Sequence, residues 1–316
     1  MSQGYQNRDR AIVDYQLWQP QSGDDWRIAP WPTRDWLRGP ALQSLPKGGY
    51  FACVGAAQTF GCFVKRPWPQ QLSDEIDLPV LNLGIAGAGP ALFREEAFLE
   101  VLRGARFVIY QVMSGRSADC SRFASGGRER LRLQDGRELG ADAAWSELLH
   151  ADLQGTNNKL LRGLKNRWLA RFGRSDVRRL ITETQVNWTR EFTALIDAVN
   201  RPSALLWFSK RPPQHQPRLH SLQALFGEFP QLVDEAMVQS VAAHTDHYVE
   251  CTTSRGSPQL LETPVLPGDA GTGKSREVVW THNEYYPSPE MHEDAVRMLR
   301  QSVQALVAAT NDTTQD

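Results

Sequence analysis

Short apolar runs, each followed by small or polar residues, recur along this chain and indicate strands that are buried on both faces. Runs of β-branched, aromatic and aliphatic residues that end at glycine or serine are typical of the interior of a parallel sheet. The clearest lie at residues 50–54, 79–83, 107–113 and 203–208, and a shorter one lies at residues 248–251.

Helical periodicity occupies much of the chain between and after these runs. It is clear at residues 94–102, at about 231–243, and at 289–309. Strands that alternate with helices predict an α/β fold in which helices cover both faces of a mostly parallel sheet. We therefore predict a three-layer sandwich.

The connection between the third and fourth apolar runs is much longer than a crossover needs, which is about a dozen residues. Within it, residues 126–140 indicate a loop or hairpin, and residues 145–149, 158–172 and 176–200 indicate helices. We predict a helical insertion at about residues 118–200 that covers one end of the sheet.

Residues 1–47 have a different character, because tryptophan and proline are frequent there. The prolines exclude a long helix, and the indoles of Trp18, Trp26, Trp31 and Trp36 favour packing over disorder. We predict an arm packed on the main domain at residues 48–310, with a disordered tail at 311–316. Stacking of these indoles on sugar rings is the alternative.

Composition and charge narrow the class of protein. The chain has 316 residues, of which 41% are hydrophobic and 22% charged, and a net charge of -1. Such a balance gives no field that attracts nucleic acid. No apolar stretch suits a signal peptide or a membrane span, and the four cysteines form no metal-binding or redox motif. We expect a cytoplasmic protein with free thiols, in which a homodimer remains open.

Ligands of open parallel sheets bind outside the carboxyl ends of the strands, so the residues after each apolar run are candidates for a site. They are mostly small, polar or cationic. The predicted ligand-binding residues are Gly55, Ala57, Gln58, Thr59, Asn82, Gly84, Ser114, Arg116, Lys210, Arg211, Asn283 and Tyr286, and the catalytic candidates are Ser117, Arg116, Tyr286 and His292.

The first two strand ends carry a resemblance to the SGNH, or GDSL-like, hydrolases. In that family the first strand ends in Gly-Asp-Ser, usually followed by x-Thr-x-Gly. Gly55, Thr59 and Gly61 match, whereas alanines stand at positions 56 and 57. The second family block, Asn-x-Gly-x-x-Gly, is matched in full at residues 82–87, and its first glycine, Gly84 here, would lend an N–H to an oxyanion hole.

The later blocks depart from the family. Its Gly-x-Asn-Asp block is not reproduced at residues 114–117, and Asn283 and Tyr286 stand where the Asp and the catalytic His are expected. The resemblance implies an SGNH-like fold with flavodoxin-like strand order. Since alanine is not a nucleophile and tyrosine is a poor base at neutral pH, it does not imply hydrolysis by the usual triad.

Two further resemblances concern the same segments. Residues 55–61, 111–113 and 206–213 resemble an uncharacterised alphaproteobacterial family, which implies no activity. Gly55 and Gln58 also match the Gly-Asn-Cys-Gln loop of capsule-biosynthesis acyltransferases of the WcbI type, although Ala57 replaces their cysteine.

Three functions follow from these patterns. The first is a transferase that modifies a cell-surface polysaccharide or glycan precursor, with an anionic donor such as coenzyme A or a nucleotide-linked group held by the cations. The second is a pseudoenzyme that binds a carbohydrate or a protein. The weakest is a hydrolase in which Ser114 or Ser117 acts as a displaced nucleophile.

Two other motifs favour structural interpretations. Residues 268–275 satisfy the P-loop pattern, but prolines bound the segment before them and a strand-like segment follows, so we predict a surface loop. His244 and His247 have the spacing of a metal pair, but no carboxylates complete a site and we predict no metal.

Overall fold

The computed structural model describes residues 13, 15–18, 37–154, 162–214, 216, 218, 221–265 and 280–312. Its centre is a parallel sheet of five strands, in the order β10-β9-β5-β3-β4. These strands are β3 (Phe51–Gly55), β4 (Val80–Gly84), β5 (Val108–Gln111), β9 (Ser203–Ser209) and β10 (His247–Thr252). Numbered along the chain, the order is 2-1-3-4-5, so the predicted α/β fold with flavodoxin-like strand order is confirmed.

Helices cover both faces of this sheet because its strands bury alternate side chains on opposite sides. In β9, Leu205 and Trp207 join one hydrophobic cluster, and Leu206 and Phe208 join the other. The helices are α1 (Ala57–Phe60), α2 (Trp68–Ile76), α3 (Glu96–Gly104), α4 (Ala141–Gln154), α5 (Arg162–Val199), α6 (Leu222–Phe226), α7 (Glu235–Ala242) and α8 (Pro289–Asp312), with 3-10 turns at Pro90–Arg94 and Gly115–Ser117.

The insertion between β5 and β9 is present and has its own small core. It contains a three-stranded antiparallel sheet of β6 (Phe123–Ala124), β7 (Arg130–Leu133) and β8 (Glu138–Gly140), followed by α4 and α5. The predicted helices at 158–172 and 176–200 differ from the structure, in which α5 is continuous from Arg162 to Val199. The ring of Trp145 packs edge-on against Phe123 and Phe226, at 5.4 and 5.9 Å.

Two smaller strand pairs complete the fold. In the arm, β1 (Leu17–Trp18) pairs with β2 (Leu37–Arg38), and Trp18 is buried in one sheet-side cluster. Near the other end, β11 (Gln259–Val265) pairs with β12 (Trp280–Asn283). Trp26, Trp31 and Trp36 lie outside the described residues, as does the P-loop-like segment 268–275.

Candidate functional site

The loop after β3 is held in place by a side chain from the neighbouring strand. Gln111 Oε1 accepts hydrogen bonds from the backbone N–H of Ala56, at 3.1 Å, and from Thr59 Oγ1, at 3.2 Å. Gly55 lies against both partners, because a Cβ there would come within 2.1 Å of Thr59 Oγ1 and 2.6 Å of Gln111 Oε1. Gly55 and Thr59, two matches to the hydrolase pattern, therefore stabilise the loop from inside the protein.

The second matched block is also bonded internally. The N–H of Gly84 donates to Asn82 Oδ1 at 2.9 Å, and Asn82 Nδ2 donates to the carbonyl oxygen of Thr59 at 3.1 Å. A Cβ on Gly84 would lie 2.1 Å from the backbone nitrogen of Phe60, so this strand end packs directly on α1. The N–H expected from the family resemblance to form an oxyanion hole is thus already used.

The space beside Ala57 is filled by apolar side chains. Ala57 and Tyr286 belong to one buried cluster, and the ring of Tyr286 lies 5.8 Å from that of Phe63. Tyr15, from the arm, packs edge-on against Phe60 at 5.6 Å and closes the cluster from outside. Ala57 and Tyr286 therefore contribute to packing, and their contact with a ligand stays a prediction.

A cavity of about 430 Å³ lies next to this cluster, at the carboxyl ends of β3 and β9. This is where the strand-end rule expects a ligand. Two of the predicted ligand-binding residues, Gln58 and Lys210, line it. The other lining residues are Phe208, Ser209, Gln223, Gly227, Glu228, Phe229, Gln231, Glu284, Tyr285, Pro287 and Met291.

Two of the residues that line the cavity are buried glutamines. Gln58 is only 2% exposed and Gln231 only 4%. Within the described part of the chain, the Oε1 atoms of both side chains accept no hydrogen bond. Gln231 Nε2 donates to the hydroxyl of Tyr285 at 3.0 Å, which fixes the orientation of its amide. Two acceptors in one cavity thus lack the donors that buried oxygens normally have.

Lys210 is the cation of this cavity, and it already has partners. Its Nζ donates to Ser257 Oγ at 2.6 Å and also to the carbonyl oxygen of Glu284. Burial lowers the pKa of Lys210, while the carboxylates of Glu228 and Glu284 act in the opposite direction. Since both of those glutamates line the cavity, the net charge around it is not positive.

The two arginines predicted to bind an anion have internal partners instead. The Arg211 guanidinium donates to the backbone carbonyls of Glu228, at 3.1 Å, and Val233, at 2.8 Å, among others. Arg116 donates to Glu129, with Nε at 3.0 Å, and to Asp142 at 2.9 Å. Of the three predicted cations, Lys210 lines this cavity, whereas Arg116 and Arg211 hold loops in place.

Three further candidates also have structural roles. Ser114 Oγ accepts a hydrogen bond from the N–H of Arg116 at 3.3 Å and caps the turn at Gly115–Ser117. Ser117 Oγ donates to the carbonyl of Gly87 at 3.3 Å. Asn283 Oδ1 accepts from the N–H of Tyr286 at 2.9 Å, which fixes the turn after β12.

His292, a catalytic candidate, lies fully buried beside the cavity wall. Its Nδ1 accepts a hydrogen bond from the N–H of Trp68 at 3.0 Å, and its ring packs edge-on against Phe208 at 5.2 Å. Burial, and to a smaller extent the charge of Arg38, lower the pKa of His292 to about 3. The imidazole is therefore neutral at physiological pH, and it is too weak a base to activate a nucleophile.

The buried state of His292 predicts a loss of stability in acid. Its pKa is about 3 in the folded protein, against 6.5 for an ordinary histidine. Below pH 6.5 the unfolded chain therefore binds a proton that the folded chain does not. Because of this proton, we expect the free energy of unfolding to fall by up to about 1.4 kcal/mol for each unit by which the pH is lowered between 6.5 and about 3. Urea titrations at several pH values, with His292→Gln as control, would measure it, and equal slopes for both proteins would contradict it.

Several cavity residues were not predicted as ligand contacts. Gln231 was assigned to a helix, but α7 begins at Glu235, where Asp234 Oδ1 accepts the N–H of Met237 at 3.0 Å. Tyr285, which is 50% exposed, directly precedes the predicted Tyr286. Position is a signal for Tyr285, which follows β12, but Gln231 lies between α6 and α7 and has no such signal.

No metal site is found among the described residues, in which histidine, cysteine, aspartate and glutamate form no group able to hold an ion. His244 Nδ1 lies 2.8 Å from Asp197 Oδ1. The four cysteines are free thiols. In the same part of the chain, none of the helices combines the length and the apolar character that a membrane span requires.

Comparison with known proteins gives a family but no activity. No curated protein matches this sequence. Among solved structures, the lipase Lip_vut3 from a goat rumen metagenome is similar over 80% of this chain and 96% of its own, with 9% identity and a TM-score of 0.35. A family described as a domain of unknown function, DUF6473, matches residues 32–307. The chain therefore belongs to the DUF6473 family.

Proposed function

We propose that this protein binds a neutral, hydroxyl-rich ligand of the carbohydrate class in the cavity at the carboxyl ends of β3 and β9, without serine or cysteine chemistry. The observation that carries this proposal is the pair of buried acceptors, Gln58 Oε1 and Gln231 Oε1, which have no donor among the described residues. A buried acceptor without a partner costs about 1–3 kcal/mol, and a ligand hydroxyl would relieve that cost once the amide turned to face the cavity.

The remaining lining supports the same ligand class. Half of the Tyr285 side chain is exposed, and its ring offers an apolar surface of the kind on which a sugar ring packs. Phe208 and Met291 add apolar surface. The rim carboxylates of Glu228 and Glu284 accept hydrogen bonds but repel anions. A lining that combines hydrogen-bond acceptors with apolar side chains suits a ligand whose hydroxyl groups donate hydrogen bonds.

A role in ligand binding agrees with the structural roles of the residues that stand at the catalytic positions of the hydrolase pattern. Ala57 provides no nucleophile, and the N–H of Gly84 is bonded to Asn82. His292 is neutral and buried. Because each position has an internal role, the ligand would be held in the cavity but not attacked by a residue of the usual triad.

Isothermal titration and saturation-transfer NMR with neutral monosaccharides, uronic acids and coenzyme A would test this function. We expect neutral sugars to bind and their hydroxyl-bearing faces to receive the saturation, since those faces would contact the glutamines. Binding of coenzyme A or uronic acids alone would refute the proposal, as would the absence of binding by every neutral sugar on a broad glycan array.

The second candidate function is a transferase with an anionic donor, and Lys210 is the observation in its favour. The ammonium group lines the cavity, and Nζ would have to exchange its bond to Ser257 Oγ for a bond to the donor. Under this alternative, Lys210→Met would abolish coenzyme A binding and leave neutral sugars unaffected. Loss of neutral sugar binding in Gln231→Met would favour the first function.

A further inference from the structure

A second hollow, of about 780 Å³, adjoins the cavity on the side of α6 and α7. The two hollows have Gln223 and Gly227 in common, so they meet at the end of α6. Each has a volume within the range of about 300–1,000 Å³ that ligand sites usually show. We name the second hollow the outer groove.

One of the two shared residues, Gly227, has no side chain. Gly227 has φ 66° and ψ −169°, a conformation that L-residues with a side chain rarely adopt. Its N–H donates to the carbonyl of Gln223 at 2.9 Å, which places it directly after α6. No side chain therefore rises from this residue between the cavity and the outer groove.

The chemistry of the outer groove resembles that of the cavity. Gln214, Gln216 and Gln223 are exposed along it, and each amide can both donate to and accept from a hydroxyl group. Its charged residues are one cation, Arg218, and two anions, Asp234 and Glu235. That balance does not attract a polyanion, since binding of a phosphate backbone needs an excess of cations.

We infer that the ligand is a neutral glycan chain of two or more units, with one unit in the cavity and the next units lying across Gly227 in the outer groove. This inference rests on the proposed function and specifies its substrate class. The continuity of the two hollows and their shared amide chemistry carry it. The cavity contributes the buried contacts, and the outer groove adds hydrogen bonds that only a longer chain reaches.

A chain-length series tests the inference. An array would display each neutral glycan as the mono-, di- and tetrasaccharide, and the full-length protein would be titrated against all of them. We expect the tetrasaccharide to bind about tenfold more tightly than the monosaccharide, since a net gain of about 1.4 kcal/mol requires only one or two additional hydrogen bonds.

Three variants locate the effect. Gln216→Ala should weaken tetrasaccharide binding about fivefold and leave monosaccharide binding unchanged, because Gln216 contacts only the outer groove. Gln231→Met should weaken both. Gln304→Ala, at an exposed position on α8, is the matched control and should weaken neither.

The outcomes separate the two proposals. If monosaccharides bind and affinity does not rise with length, the outer groove is not part of the site and this inference is wrong, while the proposed function stands. The same holds if Gln216→Ala weakens both lengths equally. If no neutral glycan binds at any length, the proposed function fails and this inference fails with it.

Discussion

Replacing Gln58 by methionine is expected to raise the free energy of unfolding of the ligand-free protein by about 1 kcal/mol, and to weaken neutral glycan binding about tenfold. The side chain is 2% exposed, and its Oε1 has no partner among the described residues. Methionine has a similar length, fills irregular space, and removes an acceptor whose burial is unfavourable. The same change removes an atom that would bind a ligand hydroxyl.

Urea unfolding and glycan titration would measure the two effects on the same protein. Gln304→Met is the matched control, since that glutamine is exposed on α8 and far from the cavity in sequence. A loss of stability in Gln58→Met would mean that the amide makes favourable interactions before a ligand arrives. In that case Gln58 Oε1 would not lack a hydrogen-bond donor in the ligand-free protein, and the main support for the proposed function would be removed.

A substitution that stabilises the protein and weakens ligand binding indicates that the replaced residue belongs to a functional site. Folding alone gives no reason to keep an amide at position 58, because an apolar side chain there would avoid the cost of a buried acceptor. The same question arises for Gln231, another residue of the cavity lining, although its Nε2 is bonded to Tyr285. Because both residues line one cavity, they support the proposal that a ligand binds there.

The sheet was predictable because its strands carry their own signal. Residues 203–208 are almost entirely apolar, and the observed strand is Ser203–Ser209, buried along its whole length. The strand at 107–113 is shorter than predicted, since β5 extends from Val108 to Gln111, although the N–H of Val112 still donates to the carbonyl of Leu206 on β9. The pairing of β11 with β12 had no comparable signal, since neither segment is a continuous apolar run.

The position of the cavity was predictable, but the contacts of its residues were not. The strand-end rule indicates the edge of the sheet at which the cavity lies, and Gln58 and Lys210 line that cavity. What the rule does not give is the partner of each polar side chain. Asn82 lies near the end of β4 and Arg116 follows β5, yet each side chain also bonds a residue outside its own segment, Thr59 and Glu129 respectively. Those contacts depend on the tertiary fold, which local sequence does not encode.

Arg211→Lys is expected to lower the free energy of unfolding by about 3 kcal/mol, although both side chains are cations. The guanidinium donates to backbone carbonyls of four more residues besides Glu228, and its Cζ lies 4.9 Å from the centre of the Trp207 ring. Burial lowers the pKa of Arg211 to about 10, so it stays charged at neutral pH. Lysine has three donors on one atom and cannot reach carbonyls that are spread around the edge of a planar guanidinium group.

The same substitution should also weaken glycan binding, because the carbonyls that Arg211 holds belong to the segment that carries Phe229 and Gln231 into the cavity. Urea unfolding and glycan titration would be compared with those of Arg300→Lys. Arg300 is an exposed helix residue paired with Glu75 at 2.8 Å, and its replacement should change stability by less than about 0.5 kcal/mol. If Arg211→Lys and Arg300→Lys had equal free energies of unfolding, Arg211 would bind its loop no more strongly than a surface arginine binds its partner. Weakened binding with unchanged stability would instead place Arg211 in contact with the ligand.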